Sequence, residues 1–227
     1  RIWHHLFGAG LVRTMDNFGA TGERPTHPAL LDHLAVRFVE SGWSVKSMIR
    51  EMVLSRAYQL SSDTAEANAA TDPDNRLLWR MNHKRLGAES LRDAMLATSG
   101  RLDRQPAEGS VVARLGDVNV GRAQRQLGQM RRDTNQRSVY LPILRNALPE
   151  MMRLFDAAEP SLIVGKRNET TVPTQALYLM NNPFVIGQAF NMAKRVMDTT
   201  ESRRDGIRLA YELAYAREAT DDEVSRA

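Results

Sequence analysis

The chain has 227 residues and a formal net charge of +4, with 42% hydrophobic and 26% charged residues. This balance is typical of a folded globular protein and excludes a disordered chain. Because the sequence contains no cysteine, it excludes disulfides, thiolate metal sites, c-type haem attachment and cysteine nucleophiles. No apolar run approaches the ~18–20 residues of a membrane-spanning helix, so no membrane span is predicted.

Helical signals dominate the first third of the sequence. Residues 1–7 are typical of the end of a helix that stops at Gly8 or Gly10, because glycine tolerates the left-handed cap. Pro28 fits the first position of a second helix, and Ser44 fits the N-cap of a third. The turn between these two helices is short, so we expect them to form an antiparallel hairpin.

The middle of the sequence changes character. The polar residues 61–75 predict a solvent-facing connector to a helix that Gly100 ends. Residues 101–137 contain several glycines and no sustained helical period, which predicts an irregular insertion. Pairs of valines and the stretch 137–141 favour short strands, so we predict a small β-hairpin or ribbon around residues 110–141.

Proline and capping signals predict the helices of the last part of the chain. They place helix starts at Pro149, Pro173, Pro183 and about Arg203, and a capping box at Thr220. The sequence therefore predicts a mainly α fold. We expect a multi-helix orthogonal or antiparallel bundle that forms a single domain over residues 1–227.

Both ends of the sequence lie inside helical patterns. The chain opens on Arg1 without an initiator Met or a signal peptide, and it ends at Ala227 soon after a helix start. We therefore expect a fragment, truncated at both ends, of a longer polypeptide. Any targeting signal would then lie outside these residues.

Three long stretches carry a family resemblance: NRLLWRMNHKRLGAESLRDAMLATSGRLD, RSVYLPILRNALPEMMRLFDAAEPS and GKRNETTVPTQALYLMNNPFV. Together with the opening RIWHHLFGAGLVRTMDNFGATGERPTHPALLDHLA, they resemble the C-terminal domain of unknown function of planctomycete-type secreted proteins, a planctomycete-specific PSD type of domain. The resemblance runs from residue 1 to about residue 218. It is specific because several long, ordered motifs agree at once.

The resemblance implies an exported protein, periplasmic or on the cell surface, in which this domain follows another one. Related proteins often carry cytochrome-c-like or carbohydrate-related modules. The haem signature Cys-x-x-Cys-His is absent here, so no cofactor is expected in these residues and any haem is expected elsewhere in the full-length protein. The implied partners are the upstream domain of the same chain and a carbohydrate or a redox partner, and not nucleic acid.

Two polar loops at helix starts are candidate ligand sites. Asp16 and Asn17 combine a carboxylate, an amide and nearby glycines, which suits a sugar or an ion but also suits the satisfaction of backbone groups. Arg145 and Asn146 lie between two prolines. Arg145 can pair with a carboxylate of the chain or bind an anionic ligand. In both loops the structural interpretation is favoured.

A third candidate is the loop Lys166-Arg167-Asn168. Thr170 or Thr171 is expected to cap the helix that follows it. Capping does not account for the two cations and the amide, which would lie next to a positive helix N-terminus, a place that suits an anion. A structural corner is the favoured interpretation, and a ligand pocket is the alternative.

Arginine supplies most of the positive charge. Most arginines are interleaved with acidic residues, which indicates solvated helix faces. The densest cluster contains Arg122, Arg125, Arg131, Arg132 and Arg137. Polyanion binding through this cluster is a weak alternative.

Two main functions are consistent with these observations. The favoured one is a non-catalytic accessory or interaction domain, which predicts an exposed apolar face. The alternative is one half of an active site shared with the upstream domain, directed at a polysaccharide or at electron transfer. It predicts that the polar candidates converge on one cleft: Asp16, Asn17, Arg145, Arg167 and Asn168.

Overall fold

The computed structural model describes residues 1–106, 125, 134–143 and 148–227. The chain divides into two compact units, Arg1–Arg85 and Leu86–Ala227. Helices dominate both units, and the described residues show an isolated parallel bridge, between Asp103 and Gln136, instead of a regular strand. The predicted mainly α fold is therefore confirmed, while the single domain over the whole chain stays a prediction. Among the described helices, none has both the length and the apolar composition needed to cross a membrane.

Unit 1, residues 1–85, is built from short helices with clear end signals. They are α1 (Ile2–Phe7), α2 (Pro28–Glu40), α3 (Val45–Val53) and α4 (Glu66–Thr71). Gly8 ends α1 in the left-handed region at φ 81°. Pro28 occupies the first turn of α2. The Ser44 hydroxyl accepts a hydrogen bond from the Ser47 N–H at 3.2 Å, so the helix ends predicted at all three residues are confirmed.

The core of unit 1 lies where α1 meets α3. Phe7 is 1% exposed and packs with Met48 and Met52. The Phe7 ring also stacks on Trp3, with centroids 3.9 Å apart, and meets the Tyr58 ring edge-on at 5.5 Å. Burial of this aromatic cluster fixes α1 on α3.

The polar segment 61–75 differs from its predicted role as a solvent-facing connector. It contains α4, and Asp72 and Asn75 near its end are buried. Asn75 Nδ2 donates to Asn82 Oδ1 at 2.9 Å, and Asn82 Nδ2 donates to the Phe7 carbonyl at 2.9 Å. Asp72 accepts from the N–H groups of Arg76 and Leu77. Burial of these polar side chains is possible because each has hydrogen-bond partners within the chain.

Unit 2, residues 86–227, contains longer helices. They are α5 (Ala88–Thr98), α6 (Glu150–Leu154), α7 (Pro173–Asn181), α8 (Pro183–Thr199), α9 (Arg203–Tyr215) and α10 (Asp221–Arg226). Proline stands in the first turn of both α7 and α8. Between them Asn182 Oδ1 accepts from the Phe184 N–H at 2.9 Å. The predicted break between these two helices is therefore confirmed.

The core of unit 2 joins α5, α6 and the segment before α6. Its buried apolar residues are Ala88, Leu141, Met151, Met152 and Phe155. Helix α8 is attached to α5 by Arg195, whose Nη1 donates to the carbonyls of Ala97 at 3.0 Å and Thr98 at 2.9 Å. These bonds satisfy carbonyls that the end of α5 would leave without a partner.

The prediction of a strand over residues 137–141 is wrong. Ser138–Tyr140 form one turn of 3₁₀ helix. Asp93 of α5 accepts from the Ser138 N–H at 2.7 Å and from its hydroxyl at 2.6 Å. Since side chains of α5 supply the hydrogen bonds, this segment needs no partner strand. The rest of the predicted hairpin, from residue 110 to 133, lies outside the described residues apart from Arg125.

The C-terminal corner is closed by the predicted capping box of α10. Thr220 Oγ1 accepts from the Glu223 N–H at 3.3 Å, and Glu223 Oε2 accepts from the Thr220 N–H at 2.9 Å. Arg217 donates to both Glu223 oxygens, at 2.9 and 2.7 Å. The hydrogen bond from Arg217 and that from the Thr220 backbone lower the pKa of Glu223 to about 2.

Acid is expected to open this corner. The folded pKa of Glu223 lies below its ordinary value of 4.5, so the stability that the carboxylate adds is present above about pH 4.5 and is lost as the pH falls towards 2. NMR titration should place the Glu223 pKa near 2 and show faster amide exchange of α10 over that interval. A Glu223→Gln variant should exchange faster already at neutral pH, whereas Glu212→Gln, on the exposed side of α9, should not. A measured Glu223 pKa at its ordinary value would contradict this expectation.

Candidate functional site

The first predicted polar site, at Asp16 and Asn17, lies in a loop of unit 1 that is held by its own hydrogen bonds. Asn17 Oδ1 accepts from the Gly19 N–H at 3.1 Å, and Asn17 Nδ2 donates to Thr21 Oγ1 at 2.9 Å. Asp16 Oδ1 lies 3.7 Å from a guanidinium nitrogen of Arg1. These contacts favour the structural interpretation of the loop, in which the side chains satisfy local backbone and neighbouring groups.

The third predicted site, at Lys166, Arg167 and Asn168, lies in unit 2. Arg167 forms a two-pronged ion pair with Glu89 in the first turn of α5, with Nη1–Oε2 at 2.7 Å and Nη2–Oε1 at 3.0 Å. Partial burial alone would raise the pKa of Glu89, but the hydrogen bond and charge of Arg167 outweigh it, and the pKa is lowered. The guanidinium of Arg167 is therefore paired with a carboxylate of the same chain, and Lys166 and Asn168 are exposed beside it.

The corner that leads from this loop into α7 is closed by side chains. Thr170 donates its N–H to Asp156 Oδ2 at 2.7 Å. Gln175 Nε2 donates to the Leu154 carbonyl at 2.7 Å and to the Thr170 carbonyl at 3.1 Å. The expectation that Thr170 or Thr171 caps α7 is wrong, because Val172 holds the N-cap position and Thr170 bonds to Asp156 instead.

The remaining predicted residues are placed only in part. Arg145 and Asn146 lie outside the described residues, and so does most of the arginine cluster. Of that cluster, Arg125 is exposed, and Arg137 Nε lies 4.0 Å from Asp93 Oδ2. Since the Asp16 loop belongs to unit 1 and the Arg167 loop belongs to unit 2, neither unit by itself contains both sets of candidates.

A cleft of about 530 Å³ in unit 2 contains polar groups that the sequence did not single out. Its wall includes Arg92, which is buried and donates to the carbonyls of Thr134 at 2.7 Å and Gln136 at 2.9 Å. Burial raises the pKa of Tyr178 in the same wall, and the charge of Glu150 adds to this effect. Tyr178 therefore stays a neutral phenol at physiological pH. Arg92 serves the backbone of the segment 134–138 and is not available as an anion ligand.

Metal ligands are not gathered in the described part of the chain. There, no group of three or more histidines, aspartates and glutamates lies close enough to hold a metal ion. The aspartates and glutamates described above are engaged instead by guanidinium groups, hydroxyls and backbone N–H groups.

Unit 1 carries an apolar groove of about 490 Å³ between α1, the loop that follows α1, α2 and α3. Phe18 at its edge is 73% exposed and Leu31 is 37% exposed. Apart from Arg1, the side chains that line it are apolar, among them Ile2, Leu11, Met15 and Leu34. An apolar groove with exposed side chains at its edge is the kind of surface that can bind another polypeptide segment.

Unit 2 carries a second apolar surface on α8. Ile186, Phe190 and Met197 are exposed along one side of that helix, and a groove of about 530 Å³ lies between α8 and α9. Their spacing is also that of a buried helix face, so the spacing alone does not show that they are exposed. A sequence-level signal was nevertheless present: the apolar positions of α8 cover more of its circumference than a single buried stripe needs.

The geometry thus offers apolar surfaces and polar loops that are internally bonded. Comparison with known families shows that residues 1–227 match the family PSD1, described as a protein of unknown function (DUF1553). The chain is a member of the PSD1 family. Searches of curated proteins and of solved structures returned no match to this PSD1 chain. The family match agrees with the predicted domain of unknown function, and it assigns no residue of this PSD1 chain to a reaction.

Proposed function

We propose that this PSD1 chain is a non-catalytic interaction domain of an exported multi-domain protein that also carries cytochrome-c-like or carbohydrate-related modules. Its ligand is the polypeptide segment that precedes Arg1 in the longer protein, and the docking site is the apolar groove of unit 1. The observation that carries the proposal is this groove, in which the exposed apolar side chains of Phe18 and Leu31 accompany residues of the core such as Met48 and Met52.

The position of the first residues supports this choice of ligand. Arg1 and Ile2 themselves line the groove. A segment that precedes Arg1 would therefore be joined to the chain directly beside the groove. Tethering at this point raises the local concentration of the segment, which favours docking without a large contact area. An amphipathic segment can place its apolar side chains between Phe18 and Leu31, as in other complexes of a helix with a groove.

The state of the polar loops supports a binding role over a catalytic one. Asn17 bonds within its own loop, and Arg167 is held by Glu89. A shared active site would need these side chains to face a substrate, and breaking a two-pronged arginine–carboxylate pair costs free energy. The exported location and the redox or carbohydrate partners are part of the proposal through the family resemblance.

Hydrogen exchange of the full-length polypeptide tests the proposal. Docking should slow exchange in the segment that precedes Arg1, and Leu31→Asp should speed it by at least about tenfold, because burial of one leucine is worth about 1.5–3 kcal/mol. Val36→Asp is the matched control, since Val36 is an exposed apolar residue of α2 that does not line the groove. Unchanged exchange in α3 would show that unit 1 keeps its fold in both variants.

Two results would contradict the proposal. One is a preceding segment that exchanges in the wild-type protein as fast as an unfolded chain. The other is an equal response to Leu31→Asp and Val36→Asp, because that result would show a general effect of charge on α2.

A further inference from the structure

Helix α8 presents an apolar stripe to solvent. Ile186, Phe190 and Met197 are 54%, 71% and 71% exposed, and Ala193 is exposed between them. Their spacing of four, three and four positions keeps them within about 60° of one another around the helix, at about 100° per residue. The first part of α8, PFVIGQAFNMA, contains no charge. A stripe of this kind is typical of a helix that packs on another helix.

We propose that a second copy of this chain covers the stripe, with the two α8 helices antiparallel about a twofold axis. The intervals four, three and four are the same in both directions along the helix. When the second helix runs in the opposite direction, Ile186 of each copy therefore lies opposite Met197 of the other copy. Phe190 of each copy lies opposite Ala193 of the other copy. This is the condition for an interface in which the same patch of each copy binds the other.

The side-chain sizes fit this register. Phe190, the largest residue of the stripe, meets Ala193, the smallest one. Ala193 also lines the groove of about 530 Å³ between α8 and α9, together with Ala189 and Ile207. The Phe190 ring of each copy can therefore enter the α8–α9 groove of the other copy, and the two insertions are equivalent.

The available area indicates a weak and reversible dimer. A standard interface buries about 800 Å² per partner, and transient ones bury less than about 600 Å². Three large exposed side chains and their alanine neighbours supply several hundred Å² per copy, which lies in the weaker class. Lys194 and Asp198, four positions apart beside the stripe, have opposite charges, so this edge does not repel a second copy.

Sedimentation of the purified chain over a range of concentrations tests the proposal. The wild type should dimerise with a dissociation constant on the order of micromolar. Phe190→Asp should raise this constant by at least about 100-fold, because each dimer loses two buried rings. Ile163→Asp is the matched control, since Ile163 is fully exposed in a loop outside α8. Circular dichroism should show the same helix content for all three proteins.

Single cysteines test the antiparallel orientation, because the natural chain contains none. In the proposed register the two Ala193 positions are offset by about 4.5 Å along the helix axis, and the two Met197 positions by about 16 Å. Ala193→Cys should therefore form a disulfide-linked dimer on oxidation, and Met197→Cys should not.

Three results would overturn the proposal. They are a monomer at every concentration, a dimer that Phe190→Asp does not weaken more than Ile163→Asp, and crosslinking through Met197→Cys in place of Ala193→Cys. The surface on α8 and the groove of unit 1 share no residue and are tested by different substitutions, so this proposal and the proposed docking of the preceding segment fail independently.

Discussion

Replacing Phe7 with alanine is expected to lower the free energy of unfolding of unit 1 by about 3–5 kcal/mol, the range for deletion of a buried aromatic ring. Phe7 is 1% exposed, and its ring contacts both Trp3 and Tyr58. Alanine would remove these contacts and leave a cavity between α1 and α3. Small domains are stable by only about 5–15 kcal/mol, so this loss is a large part of the total.

Tryptophan fluorescence during urea unfolding reports the unfolding of unit 1 and not that of unit 2. The three tryptophans of the chain, Trp3, Trp43 and Trp79, all belong to unit 1. Leu77→Ala is the control, since Leu77 is 71% exposed and does not line the groove of unit 1, so its truncation should change the free energy of unfolding by less than about 0.5 kcal/mol. Equal midpoints for the wild type and Phe7→Ala would show that the aromatic cluster does not fix α1 on α3.

Replacing Arg92 with methionine is expected to lower the free energy of unfolding of unit 2 by about 2–4 kcal/mol, because buried acceptors without partners are costly. The guanidinium donates to the Thr134 and Gln136 carbonyls, and it lies 5.5 Å from the centre of the Phe184 ring. Methionine fills a similar volume, but its side chain has no hydrogen-bond donor. Arg92→Lys should lower the free energy of unfolding by less, because lysine keeps the positive charge and loses only the planar set of N–H donors of the guanidinium.

Far-UV circular dichroism and hydrogen exchange are the suitable measurements for Arg92→Met. Residues 134–143 should exchange faster in this variant, since their anchor on α5 is removed. Arg153→Met on α6 is the control, because Arg153 is exposed and its loss should change stability by less than about 0.5 kcal/mol. An unchanged exchange rate over residues 134–143 would contradict the role assigned to Arg92.

The sequence predicted those parts of the fold that depend on neighbours a few residues away. Gly8, Pro28, Ser44 and Thr220 end or begin helices as expected, because each acts through its own backbone conformation or through a bond within three residues. Such local signals survive in any tertiary context. Helix content and most helix starts could therefore be derived from the residues alone.

The features that depend on distant residues could not be predicted. The turn at Ser138 forms because Asp93, 45 positions earlier, bonds to it. The sequence left open an anion site at Arg167 as the alternative to a structural corner, because the partner of this arginine, Glu89, lies 78 positions away. A period of four and three along α8 is the same for a buried face and for an exposed one, so the period does not show which of the apolar residues, Phe190 among them, face solvent.

The attachment of α8 by Arg195 affects how any partner would meet this helix. Its two hydrogen bonds to the end of α5 fasten α8 at a point only two positions from Ala193. A helix fixed in this way does not have to fold when a partner arrives. Beyond the loss of translational and rotational freedom, association then costs the ordering of a few side chains such as Phe190. A preorganised surface of this kind binds more tightly per unit of area than a flexible one.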